Sequence, residues 1–474
     1  MLAVDDTAIL SLLYRVSNKT LEVHRKESSM HHVVIGGNAA GMSAAAKIRR
    51  TAPADTLTVL EKSSIVSFGG CGLPYYVGDF FSDKRYLLHR SPERFREDGV
   101  DLRLNHTVTR VDPVKREVIG LDGHGEQFSL TYDNLIVTSG ADSITPPIEG
   151  VGLKNIYTLR VLNDGEAIKE AISSTGEHAV VVGGGFIGLE IAEALHRAGK
   201  KVRIIELMDR VLKTAVSPEI SNLAHQEILS HGVELSLEEK VEAFRGEGSV
   251  QSVVTSKGTY PADLVILSVG VKVQTQFLAS SGIDMLPNGA IIVNNKGESS
   301  IDHIYAAGDC AAVPAMYGDS HVFSPLATSA NKLGRIIGDR IGGSDKVYPG
   351  SLATACVKVF DLEIARTGVS EEGDSMSSVF IRDKNQTAYY PGQEDIYIKL
   401  FFSTETGKIT GAQTAGKNGA VLRINPIAMA IQLGGTVEDL SLADFCYAPP
   451  FAKTWDALNV AGSVASSAFD KRNT

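Results

Sequence analysis

The chain has little of what marks a secreted, membrane-spanning or nucleic-acid-binding protein. Cysteine occurs four times in 474 residues, at Cys71, Cys310, Cys356 and Cys446, too few and too scattered for a disulfide framework or a CxxC metal site. No apolar run reaches the roughly 18 to 20 residues that span a bilayer, and the N-terminus lacks a basic segment followed by an apolar core and a cleavage site. The net charge is −10, with no basic run to track a phosphate backbone or hold an anionic membrane surface. None of the 12 histidines falls in a metal-ligand spacing with a further ligand. A cytoplasmic protein is expected, without metal, membrane or nucleic acid. With 43% hydrophobic residues it is long enough for two or three domains.

What the chain does have is an internal repeat. Residues 33 to 61 run from the apolar strand VVIGG through the small, helix-forming GGNAAGMSAAAKIRR to a second strand, LTVLE, ending in Glu61. Residues 179 to 206 repeat the plan with AVVVGGG, GFIGLEIAEALHRAG and KVRIIE, ending in Glu206. Glycines let the chain turn tightly and bring a helix N-terminus, with its unpaired N–H groups, up to a pyrophosphate. The terminal acid then accepts hydrogen bonds from a ribose diol. The first unit offers Gly36, Gly37 and Gly41, with Asn38 in the middle position. The second offers the full Gly183, Gly185 and Gly188, with Phe186 and Ile187 between the last two, and Gly270 after the strand VILSVG joins that set. Two dinucleotide sites on one chain imply electron transfer between a nicotinamide and a flavin, hence FAD and NAD(P)H. Glu206 repels a 2′-phosphate and favours NADH, while nearby Arg210 leaves NADPH possible.

Two later segments assign the sites. YAAGDC, containing Gly308 and Asp309, resembles the second flavin motif of the pyridine nucleotide–disulfide oxidoreductases, and YDNLIVTSGADSITPPI is similar to their connecting motif. The resemblance implies that the first unit takes FAD, with Glu61, Gly308, Asp309 and the helix start at Ala327 and Thr328, and that the second takes NAD(P)H. It also implies an α/β fold of two Rossmann-like domains and a C-terminal α+β dimerisation domain. FAD would occupy 30–149 and 271–347, NAD(P)H 150–270, and the dimerisation domain 348–474. Residues 1–29 form an extension, expected to be mobile and without a catalytic role.

Cys71 stands in VSFGGCGLPYYVGD with no second cysteine nearby. A single redox thiol must cycle with an external partner, as a mixed disulfide or a sulfenic acid. A helix N-terminus after the turn, with an oxidised flavin nearby, is expected to lower the thiol pKa. SFGGCGLPYY resembles the signature of the coenzyme A-disulfide reductase family, and DFCYAPPF is similar to its C-terminal YxPP motif. The resemblance implies a homodimer with an active site shared between chains, in which Tyr447 and Tyr389 serve the other chain's Cys71 as proton donors. It assigns Arg50 and Ser67 to coenzyme A. Gly70 departs from the asparagine often found there, which leaves room for polysulfide or coenzyme A persulfide. The rival branch, NADH oxidases and peroxidases, typically has a histidine where this chain has Ala39. A non-enzymatic alternative is an NADH-responsive redox sensor. Cys310, Cys356 and Cys446 are expected to be small buried hydrophobes.

Overall fold

Consecutive apolar residues in a strand require cover on both faces, the condition of a parallel sheet between helices. The computed structural model, which describes residues 29–473 apart from 319, 370, 371 and 374, builds two such sheets in one strand order. In the first, His31–Ile35 is central, flanked by Thr56–Leu60 and Asn134–Val137, with Asp101–Arg103 and Ile304–Ala306 at the edges. In the second, His178–Val182 is central, flanked by Lys201–Ile205 and Leu264–Leu267, with Glu234–Ser236 and Ile156–Thr158 at the edges. Val33, Val34, Leu135 and Ile136 in one sheet, and Val181, Ile204 and Ile266 in the other, are fully buried. Each such side chain contributes about 1.5–3 kcal/mol. The expected N-terminal extension, except Ser29, lies outside the described residues.

The helices Ala39–Thr51 and Phe186–Arg197 follow the central strands directly, so both glycine loops open where the strand order reverses, the usual binding crevice of such sheets. Each unit also carries a three-stranded antiparallel sheet, Thr107–Asp112 with Glu117–Leu121 and Gln127–Thr131, and Val241–Arg245 with Ser252–Thr255 and Thr259–Pro261. The chain leaves the first unit through Ala141–Ser143 and returns through Val271–Val273, and these segments pair antiparallel. Ile304–Ala306 then re-enters the first sheet, and the helix Ala327–Ile341 packs on Ala39–Thr51.

The C-terminal part is a five-stranded antiparallel sheet in the order Ala355–Val359, Leu362–Gly368, Ile409–Gly416, Asp395–Ser403, Met376–Lys384. It is joined by the helices Ile424–Gln432, Val437–Leu442 and Ala457–Asn473. Leu433, Leu442, Phe451 and Trp455 in this part are exposed, as expected of a surface that another chain covers. Among the described residues, no helix is long and apolar enough to cross a membrane.

Candidate active site

The glycine loops are fixed by backbone sterics and by their acids. In the first loop, Glu61 accepts the Gly37 N–H at 2.7 Å and the Ser63 N–H at 2.8 Å. In the second, Glu206 accepts the Gly184 N–H at 2.6 Å and the Met208 N–H at 2.8 Å. Each carboxylate is thus held by two amides at the end of its strand. Gly36, Gly37, Glu61, Gly185, Phe186, Ile187, Gly270, Gly308, Asp309, Ala327 and Thr328 line one cavity together with Cys71, Arg50 and Ser67. Gly41 and Gly188 lie behind the loops, against the carbonyls of Gly36 and Gly183.

These residues fit two anionic dinucleotides on evidence independent of the motifs. Three helices begin at the cavity, at Ala39, Phe186 and Ala327, and none has a side-chain cap. Uncapped first-turn N–H groups favour a pyrophosphate. Ser268 Oγ in the same cavity is buried without a hydrogen-bond partner. Asp309 is paired with Arg160 at 2.6 Å, and Arg160 also donates to the Ala141 carbonyl at 2.8 Å.

Cys71 sits in a single 3-10 turn, Gly70–Gly72, before the five-residue helix Leu73–Val77. The segment is tied to the first loop at both ends of Ser67–Phe68: the Ser67 N–H donates to Gly37 O at 2.9 Å, and the Phe68 N–H to Asn38 Oδ1 at 2.9 Å. The protein's own groups do not supply the expected lowering of the thiol pKa. Burial pushes Cys71 up, Glu190 and Asp309 add to the rise, and Arg160 opposes it. One short helix supplies little dipole, whereas two carboxylates face the sulfur.

Tyr389 and Tyr447 lie with their hydroxyls 3.0 Å apart, and the Tyr389 bond holds the Tyr447 phenol above its usual range. Neither lines the Cys71 cavity of its own chain. Two expectations for cysteine are corrected. Cys356 is exposed and lines the cavity, because in Ala355–Val359 it alternates to the face opposite Val357 and Val359. Cys446 is exposed because it lies in the irregular stretch after Val437–Leu442. Cys310 is buried. The fold brings Glu227, His231 and Asp361 together, but Lys417 Nζ stands 3.7 and 3.8 Å from the two acids as their counter-ion.

Sequence reasoning missed Arg160, Glu190 and Tyr75. The Tyr75 hydroxyl donates to Glu190 Oε1 at 3.1 Å across 115 residues of chain, and Arg160 meets Asp309 across 149. Only Glu190 carried a signal, as the acid next to Leu189 in the second glycine helix.

Comparison with known proteins identifies the family. Residues 30–332 match the model of the pyridine nucleotide-disulphide oxidoreductases, and residues 354–458 match the dimerisation domain of the same family. An NAD(P)H sulfur oxidoreductase (CoA-dependent) of Pyrococcus abyssi is 37% identical over 91% of this chain and 97% of its own length. A coenzyme A disulfide reductase of Staphylococcus aureus is 30% identical over 91% of this chain and 99% of its own. The solved structure of a water-forming NADH oxidase from Lactobacillus brevis, bound to NADH, superposes with a TM-score of 0.90 at 29% identity, covering 94% of this chain and 100% of that one.

Proposed function

Because the chain belongs to the pyridine nucleotide-disulphide oxidoreductase family, we propose that it is an FAD-dependent NAD(P)H oxidoreductase that reduces a small disulfide or persulfide, with coenzyme A disulfide as its main substrate, through Cys71. The observation that carries this reading is the single cavity lined by residues of both glycine loops and by Cys71. Support for coenzyme A comes from the names of the relatives and from Arg50 and Ser67 on the cavity wall. Ala39 in the first loop weighs against peroxide or dioxygen as the main acceptor.

FAD, when bound, relays the electron pair of the nicotinamide to the thiol site. The Cys71 thiolate attacks one sulfur of the incoming disulfide, the S–S bond breaks, and one thiol leaves while the other stays on Cys71 as a mixed disulfide. Reduction of that bond releases the second thiol and restores the thiolate. In sum, RSSR, NADH and a proton give two RSH and NAD⁺. Each departing thiolate needs a proton, and a phenol can donate one. We assign that donor to Tyr447 of the partner subunit, paired with the partner subunit's Tyr389, since neither tyrosine lines its own chain's cavity. The division into 30–149 with 271–347, 150–270 and 348–474 belongs to this reading, as does a cytoplasmic setting that keeps all four cysteines reduced.

A second reading, polysulfide or coenzyme A persulfide as substrate, is favoured by Gly70 beside Cys71 and by the Pyrococcus relative. Anaerobic NADH consumption with coenzyme A disulfide, polysulfide and cystine separates the two. Cys71→Ser is expected to cut turnover with the true substrate by about a thousandfold or more. Undiminished turnover in that variant would sink both readings.

A further inference from the structure

Glu190 lies two residues beyond Gly188 on the helix Phe186–Arg197 and lines the cavity into which Cys71 opens. Among the described residues its one hydrogen-bond partner is the Tyr75 hydroxyl, at 3.1 Å. Tyr75 stands four residues after Cys71, on the short helix Leu73–Val77 that follows the cysteine's turn. One bond therefore joins the helix of the second glycine loop to the helix that follows the thiol.

The charges around this bond are unequal in a telling way. Glu193, one turn further along, is neutralised by Lys358 at 2.8 Å and accepts the Phe360 N–H at 3.1 Å. Asp309, the other carboxyl acting on Cys71, is neutralised by Arg160 at 2.6 Å. Tyr75 and Cys356, the other titratable groups facing Glu190, are neutral when protonated. Among the described residues, the groups that shift Glu190 are Tyr75 and Glu193, and no cation is among them. Glu190 is thus the one carboxyl facing Cys71 without a counter-ion among the described residues.

We propose that Glu190 is a positioning residue that governs when Cys71 becomes a thiolate: the cavity accommodates one unpaired negative charge, and the sulfur ionises readily only while Glu190 is protonated. Tyr75 sets the balance by stabilising the ionised carboxylate. Burial, helped by Glu193 and opposed by Tyr75, pushes Glu190 up to about 7, so its charge changes within the range where the enzyme would work. Proton release from Cys71 Sγ and proton uptake at the Glu190 carboxyl then oppose one another as coupled equilibria with solvent. The consequence for turnover rests on Cys71 being the reacting thiol, but the coupling itself does not.

The test is the pH profile of Cys71 alkylation in the flavin-loaded protein, freed of mixed disulfide with dithiothreitol and desalted. Iodoacetamide labelling from about pH 5 to about pH 10 is read at the Cys71 peptide by mass spectrometry. Glu190→Gln is expected to move the midpoint down by about one pH unit, about tenfold more thiolate at neutral pH. Glu190→Asp, which keeps the charge, should stay near the native midpoint. Tyr75→Phe, which leaves Glu190 protonated to higher pH, should shift the midpoint down by a smaller amount. A Glu190→Gln profile that superimposes on the native one would overturn the proposal. So would equal shifts in the Gln and Asp variants, since packing alone would then explain them. Full turnover in Cys71→Ser, by contrast, would remove the redox role of Cys71 and leave the coupling standing.

Discussion

The two glycine loops share the steric constraints on their first and last glycines and differ at the three positions between, and the first of these differences, Asn38 against Gly185, shows which glycines serve the fold. Gly36 and Gly183 have φ of +101° and +108°, and a Cβ on either would sit 2.2 Å from Thr138 O or 2.4 Å from Ser268 O. A Cβ on Gly41 or Gly188 would lie 1.9 or 2.0 Å from the carbonyl oxygen of the loop's own first glycine. These outer glycines are required by the protein's own backbone. The middle position is not: a Cβ on Gly185 would meet nothing within 4 Å. In the first loop the same place holds Asn38, whose side chain ties down the Phe68 N–H and with it the segment carrying Cys71. The first loop thus anchors a reacting group, while the second stays open.

The strongest way to break the symmetry is to fill the third glycine of one loop at a time. Gly41→Ala and Gly188→Ala each force a methyl group onto a carbonyl oxygen, and overpacking of this kind costs about 1–3 kcal/mol or more. Gly41→Ala should yield protein without flavin absorbance. Gly188→Ala should retain the flavin but no longer bleach it with NADH. Flavin lost equally from both variants would show that the loops are not assigned one to each dinucleotide.

Asn38→Ala should have the next largest effect. It leaves the largely buried Phe68 N–H without an acceptor, at about 1–3 kcal/mol. The flavin should stay, while Cys71 alkylation accelerates and disulfide turnover falls as the cysteine segment loosens. Asn38→Gly, which gives the first loop the middle glycine of the second, should behave as badly as Asn38→Ala. A fully active Asn38→Gly would mean that the tether does nothing.

What could be read from the chain, and what could not, follows the same division. The strand–loop–helix–strand units, their loop turns and their strand-end acids depend on residues within about 30 positions of one another and on forbidden backbone contacts, which leave marks in sequence. The pairs Tyr75–Glu190 and Arg160–Asp309 depend on how separate elements meet, and no local spacing encodes that. Cys356 was legible and was misread: in ACVKV, alternation puts it on the face of Lys358, not of the buried valines. The raised thiol pKa was not legible, since it comes first from burial and then from carboxylates brought in by the second unit and by the flavin motif.

The second loop's helix offers a milder perturbation. The Glu190 carboxyl, ordinarily at 4.5, is raised to about 7 in the folded protein, so between those values the folded state holds a proton that the unfolded state has released. Stability must fall as pH rises through that window, and the loss is complete above it. Glu190→Gln is free of this loss. It should gain about 1–3 kcal/mol, a few degrees in melting temperature, at about pH 8 and almost nothing at about pH 5. An equal gain at both pH values would point to packing rather than charge.

Gly185→Ala should disturb the fold least and sharpen the comparison most. Gly185 has φ −82° and ψ −174°, a conformation open to any residue, and it caps the helix Phe186–Arg197 without a side chain. Alanine is a poorer cap than glycine, but it also restricts the unfolded chain, and the two effects offset to within about 0.5 kcal/mol. The melting temperature should therefore stay unchanged. The added methyl group projects into space the protein leaves free, so a rise in KM for NADH at constant flavin content would show that this space is kept for the dinucleotide. An unchanged KM would mean that the middle glycine is as dispensable in the second loop as Asn38 shows it to be in the first, leaving the outer glycines to define the site.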